Sequence, residues 1–192
     1  MKIESIKKYL KSYSIVNRRK TTINNAFASA LAPFDNYDLV RLKNAMEFLG
    51  QADLENLICV YCGNFAETWD HLVGLVKNSE LNGNGHQIGN LIPCCKSCNS
   101  KKGNQDWRTF IRKTIFDSEK SIQLEEKLDS YHQQFSTSLD LSWSRTNSPQ
   151  LWEQYSVIKQ KIFDLMTQAD QIANQLRLEI KMYGSNPNTS EH

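Results

Sequence analysis

Two cysteine knuckles, Cys59-Val60-Tyr61-Cys62 and Cys95-Lys96-Ser97-Cys98, stand 32 residues apart and constrain this chain more than any other feature. Each Cys-x-x-Cys turn presents two thiolates to one ion, and two turns complete a tetrahedral four-sulfur site with bonds of about 2.3 Å. With all four positions taken by sulfur, no coordination site is left for water, so the expected Zn²⁺ is structural. A redox role competes for any single Cys-x-x-Cys, but it calls for a βαβ setting and one motif rather than two. Cys94 opens an alternative, since Cys94-x-x-x-Cys98 is also a conceivable pair. Cys95 is preferred because its spacing repeats that of Cys59 and Cys62, which leaves Cys94 as a spare buried thiol.

Compact zinc ribbons place their knuckles about 15 to 20 residues apart, so the longer separation here implies an insert, read as strand, long loop and strand. Its apolar runs are Thr68 to Val73 and Ile88 to Ile92, among Gly and Asn residues. Helical periodicity surrounds this centre. Before it, Ile3, Ile6, Tyr9, Leu10 and Tyr13 suggest one helix, and Thr22 caps a second that Pro33 ends. A third, from Asp35, turns Leu39, Leu42, Ala45, Met46 and Leu49 inward and closes at Gly50. After it come Trp107, Phe110, Ile111, Thr114 and Ile115, then Ile122, Leu124, Leu128, Tyr131 and Phe135. The polar stretch Ser136 to Pro149 precedes a last helix from Gln150 to Tyr183, whose Trp152, Tyr155, Ile158, Ile162, Leu165, Ala169, Ile172, Leu176, Glu179 and Tyr183 form a near-heptad seam.

The fold class expected is α+β: a mostly helical chain around a small zinc-stapled strand-and-helix core, with a long C-terminal helix. The layout expected is a helical layer with a basic arm over 1–55, the core over 56–117, a helical region with a possible dimerisation helix over 118–184, and a disordered tail over 185–192. No run of about 18 apolar residues occurs, and Met1-Lys2-Ile3-Glu4-Ser5 does not resemble a leader, so a cytoplasmic protein without a membrane span is expected.

The insert contains Trp69-Asp70-His71 and Gly89-Asn90-Leu91, and it runs into Cys98-Asn99-Ser100-Lys101-Lys102-Gly103. In that order and spacing, from Cys59 to Gly103, the chain resembles the HNH, or ββα-metal, endonuclease family. The resemblance implies hydrolysis of phosphodiester bonds in DNA, with His71 as general base and with Asp70 and Asn99 holding Mg²⁺ or Mn²⁺. It maps the family's middle Asn onto Asn90, which would hold the loop that orients His71. The residue types suit the chemistry: a hard cation takes oxygen ligands and keeps waters, and an imidazole titrates near neutrality. Lys102, one helical turn after Asn99, lies within reach of a phosphate oxygen. Adjacent strand residues point to opposite faces, so Asp70 and His71 serve one site only if the strand end is twisted or bulged, and a kinked edge is expected there. Trp69 and Trp107 read as packing around the metal-held core, and His86 as a loop histidine able to touch substrate or metal, or simply solvated.

Net charge is only +2, but it is unevenly spread. Lys2, Lys7, Lys8, Lys11, Arg18, Arg19 and Lys20 face only Glu4 in the first twenty residues, while Lys96, Lys101, Lys102, Arg108, Arg112 and Lys113 face only Asp106 between 96 and 113. Lys101, Lys102, Arg108 and Arg112 form a candidate phosphate-tracking stripe, which gives salt-dependent affinity for DNA without sequence selectivity. One such site cuts one strand, so a double-strand cut needs two copies, joined through the C-terminal helix as a homodimer. The setting implied is bacterial restriction, defence or a mobile element. The competing readings are a non-catalytic zinc module that binds nucleic acid or protein, and an RNA-directed nuclease.

Overall fold

The computed structural model describes residues 2–77 and 80–184; the tail expected to be disordered lies outside the described residues. The chain is mostly helical, and it divides into two compact units, residues 25–144 and the described parts of 1–24 with 145–192.

The larger unit is built on a two-stranded antiparallel ribbon, β1 (Thr68–His71) with β4 (Leu91–Cys94), paired Thr68 to Cys94 and His71 to Leu91. A smaller hairpin, β2 (Val76–Lys77) with β3 (Glu80–Leu81), lies between them in sequence. The expected strand over Ile88 to Ile92 begins as a 3-10 turn, Ile88–Asn90, and becomes β4 only at Leu91. Three helices flank the ribbon: α2 (Leu39–Phe48), α4 (Trp107–Thr114) and α5 (Ser118–Phe135). Each starts on an aspartate that satisfies free amides of the first turn: Asp38 accepts from Val40 and Arg41, Asp106 from Thr109, and Asp117 from Glu119 and Lys120. On α5, Ser121, Glu125, Leu128, Tyr131 and Phe135 step by three and four and form its buried face. Leu128, Tyr131 and Phe135 meet Ala45, Met46, Leu49, Leu72, Ile92, Trp107, Phe110 and Ile111 in one core that also contains Cys59, Cys94, Cys95 and Cys98. Fully buried side chains such as Ile92 and Ile111 each contribute about 1.5–3 kcal/mol relative to exposure. Trp107 packs as expected, but Trp69 remains 46% exposed and is not a core residue.

Several boundaries differ from the periodicity. α2 starts at Leu39 on Asp38 rather than at Asp35, and Leu39 stays exposed. Asp35 accepts the Ile88 amide at 2.8 Å and pairs with Arg41, so it braces the turn before β4 instead of opening a helix. The polar stretch after α5 contains a short helix, α6 (Leu141–Asn147).

In the other unit, the expected first helix is a 3-10 segment, Ile3–Lys8, and Ile3, Ile6, Tyr9, Leu10 and Tyr13 are all exposed. Helix α1 (Ile15–Leu31), of which residues 15–24 belong to this unit, begins seven residues before the expected cap Thr22. Its start is satisfied from far away: the Asp170 carboxylate accepts from the Ser14 hydroxyl (2.9 Å), the Ile15 amide (2.7 Å) and the Val16 amide (3.2 Å). These bonds hold the carboxyl below its usual range, the Ile15 amide first. Asp170 belongs to α7 (Pro149–Gly184), a 36-residue helix about 54 Å long with no buried residue. Among the described residues no helix is long and apolar enough to cross a membrane.

Candidate metal centre and active site

The first knuckle is a tight turn in which the Gly63 amide donates to the Cys59 carbonyl (2.8 Å) and Gly63 takes φ +73°. β4 delivers the second knuckle. It ends at Cys94, and Cys95 caps α3 (Lys96–Lys102), its sulfur accepting the Cys98 amide. The sulfurs of Cys59, Cys62, Cys95 and Cys98 all lie within 4.8 Å of one another, with Cys62 and Cys95 3.7 Å apart. A tetrahedron with bonds of about 2.3 Å has edges of roughly 3.8 Å, so the donor set fits Zn²⁺. Cys94 stands outside this foursome, buried, its thiol donating to the Cys95 carbonyl.

The same junction of β4 and α3 sets α3 against β1. Strand alternation turns Thr68 and Asp70 toward the helix. Asn99 donates to the Thr68 hydroxyl at 3.0 Å. One turn on, the Lys102 ammonium bonds both Asp70 oxygens (3.2 and 3.0 Å) and the His71 carbonyl (2.9 Å). The Tyr61 hydroxyl, from the first knuckle, donates to Asp70 at 3.3 Å. Lys102 is only 3% exposed and Asp70 7%, so this is a buried ion pair and the lysine does not point outward. Burial pushes the Asp70 carboxyl above its usual pKa, with Lys102 and Tyr61 pulling the other way.

His71 leaves β1 on the opposite face. Its Nε2 lies 3.0 Å from Nδ1 of His86, with the rings edge to face at 5.0 Å. Burial first, then His86 and Lys102, push its pKa down to about 4. The β1–β4 ladder runs one to one through His71, so the bulge anticipated at the strand end is absent. Asp70 and His71 are linked instead by Lys102, which reaches the carboxylate of one and the carbonyl of the other.

Asn90 is wholly buried. Its amide oxygen accepts from the Val73 amide (2.8 Å), and its nitrogen donates to the Val73 (3.0 Å) and Gly85 (2.9 Å) carbonyls. One side chain thus fixes the chain just after His71 against the chain just before His86. Sequence reading did not find the pairing of these imidazoles, nor Tyr61 and Tyr131; the Tyr131 hydroxyl lies 2.5 Å from the Ile88 carbonyl and 2.8 Å from that of Leu91.

The basic stripe is arranged differently from an open track. Arg112 makes a two-pronged pair with Glu125, holding that carboxyl below its usual range, and Arg108 pairs with Asp129 while lying 4.2 Å over the Trp107 ring. Lys101 is exposed at the end of α3.

Four converging sulfurs beside a two-stranded ribbon and a short helix define a knuckle-stapled ββα unit, with Asp70, Asn99 and Lys102 between strand and helix. Residues 59–105 match the model of the HNH endonuclease family, which bears out the resemblance over this segment and points to nuclease chemistry in general. No curated protein and no solved structure matches the chain.

Proposed function

We propose that this chain is a metal-dependent HNH endonuclease that hydrolyses phosphodiester bonds in DNA. The observation that carries the reading is Lys102, whose ammonium bonds the Asp70 carboxylate and the His71 main-chain carbonyl and so ties together the two residues the scheme needs.

In this reading His71 takes the proton of the attacking water. A base with a pKa near 4 is weak for that task, but a phosphodiester anion placed before the imidazole raises it toward neutrality. Asp70 and Asn99 offer one anionic and one neutral oxygen, a sparse set that suits Mg²⁺ or Mn²⁺ with its remaining waters. Such a cation supplies charge neutralisation on the phosphoryl oxygens and help for the leaving oxygen. Lys102 then exchanges its bond to Asp70 for one to a phosphoryl oxygen. Asn90 holds the His71 loop, and Lys101 with Arg108 and Arg112 tracks the backbone, the two arginines from their positions in ion pairs. The reading extends to a cytoplasmic restriction, defence or mobile-element enzyme. It also extends to a homodimer through α7, whose seam leaves Ile158, Leu165, Ile172 and Leu176 exposed.

The test is nicking of supercoiled plasmid with Mg²⁺ or Mn²⁺, beside His71→Ala and an RNA substrate of matched length. Cutting by the wild type, lost in His71→Ala with DNA binding kept, is the expected result; equal nicking by both refutes the base assignment. One observation favours a second reading, a non-catalytic zinc module: the charge of Asp70 is already compensated by Lys102. Binding without cutting under every metal supports that reading instead.

A further inference from the structure

His86 has no part in the scheme above, yet the structure spends several contacts on placing it. Its amide donates to the Pro33 carbonyl (2.8 Å) and its carbonyl accepts from Asp35 (3.2 Å), so Phe34 and His86 form an isolated parallel bridge. Gly85 lies so close to Pro33 that a Cβ there would meet the Pro33 oxygen at 1.9 Å. Asn84 is within 3.0 Å of His132 on α5, and the Gly83 carbonyl accepts from Leu139 (2.9 Å). The loop is therefore held on both sides, although the His86 side chain is exposed.

These contacts converge on one outcome. The imidazole of His86 stands 3.0 Å from Nε2 of His71, and Asn90 bonds to Val73, two residues after His71, and to Gly85, next to His86. A neutral imidazole has one donor and one acceptor nitrogen, and the hydrogen bond at one nitrogen selects which carries the proton. We propose that His86 is a positioning residue: it fixes the ring orientation and tautomer of His71 through the Nδ1 to Nε2 hydrogen bond, and Asn90 sets the distance between the two rings. The part His86 plays in catalysis rests on the nuclease reading; the pairing does not.

The experiment uses the full zinc-loaded chain as wild type, His86→Ala and His86→Asn, the last able to present a hydrogen-bonding atom near the place of Nδ1. Two readouts are taken. Proton–nitrogen correlation of the ring nitrogens, assigned with His71→Gln in a protein of four histidines, reports tautomer and hydrogen bonding at neutral pH. Plasmid nicking, resolved into kcat and KM, reports the consequence.

The expected wild-type spectrum shows a single His71 tautomer with its Nε2 signal displaced by a hydrogen bond. In His86→Ala that signal moves to the averaged position of free imidazole, and kcat falls roughly 10- to 100-fold, the usual scale for loss of an orienting partner, with KM little changed. His86→Asn restores part of both. An unchanged His71 spectrum in His86→Ala overturns the proposal, as does an unchanged kcat in a wild type that cuts. If the wild type cuts nothing, the nuclease reading falls, and the ring spectra alone still decide whether His86 holds His71.

Discussion

Replacing Lys102 by Met isolates the buried pair that joins β1 to α3. Methionine keeps most of the aliphatic stem, so the change removes an ammonium and little apolar contact. What remains is a carboxylate 7% exposed, held by the Tyr61 hydroxyl at 3.3 Å and the His71 amide, and a His71 carbonyl that has lost its donor. Breaking one side of a buried pair costs about 3–5 kcal/mol, and urea denaturation in saturating zinc at pH about 8 should read a loss of that size. The sign of the pH effect follows from Asp70. Its carboxyl is already raised by burial against the pull of Lys102, and without Lys102 it rises further. The loss is therefore full where Asp70 is ionised and shrinks as the pH falls through the variant's raised pKa, since a protonated carboxyl needs no counter-charge. Asp70→Asn combined with Lys102→Met leaves no charge and should regain at least about half of the loss. A cost under about 1 kcal/mol, or one equally large in the Asp70→Asn background, would refute the claim that the pair acts as a unit.

Zinc removal by chelation, or Cys59→Ser, should unfold the 25–144 unit. Structural zinc is worth about 10–16 kcal/mol in zinc-finger peptides, more than most domains possess, and one metal per chain by elemental analysis is the companion result. Glycine substitutions should differ sharply by position. Gly89→Ala puts a Cβ 2.4 Å from the Phe135 carbonyl carbon and should cost more than about 3 kcal/mol in urea. Gly63→Ala meets open space and loses only about 1–2 kcal/mol to its left-handed φ. Burial holds His71 down to about 4 and His132 below its usual value, so the unfolded chain binds protons that the fold excludes. Their contribution is complete above about pH 6.5 and is lost as the pH falls, for His71 between about 6.5 and 4. His71→Gln should flatten that slope in a urea midpoint series, and an unaltered slope would remove His71 from the explanation.

What could be read in advance was local. Knuckle spacing favoured Cys95 over Cys94, and the sulfurs converge accordingly. The order Asp70-His71, Asn90, Asn99 carried the family resemblance that the match over residues 59–105 bears out, and three- and four-residue steps located α4 and α5. What escaped was set by distant partners. The start of α1 depends on Asp170, 155 residues beyond Ile15, which no local cap signal encodes. Lys102 reads as outward in a basic stretch, and only Asp70, 32 residues earlier, turns it inward. The N-terminal apolar residues step like a helix face yet stay exposed, and a face without burial has little to stabilise it.

The clamp on the 82–86 loop bears on how portable such a nuclease signature is. Pro33, Asp35, His132 and Leu139 all lie outside residues 59–105, yet they set where His86 stands. The signature stretch excised alone would keep its sulfur ligands and its strand-to-helix lysine while losing the external scaffolding of one imidazole. Grafted into another protein, it would need a host that rebuilds that scaffolding from unrelated residues. The placing of that imidazole is thus written in residues the signature itself does not encode.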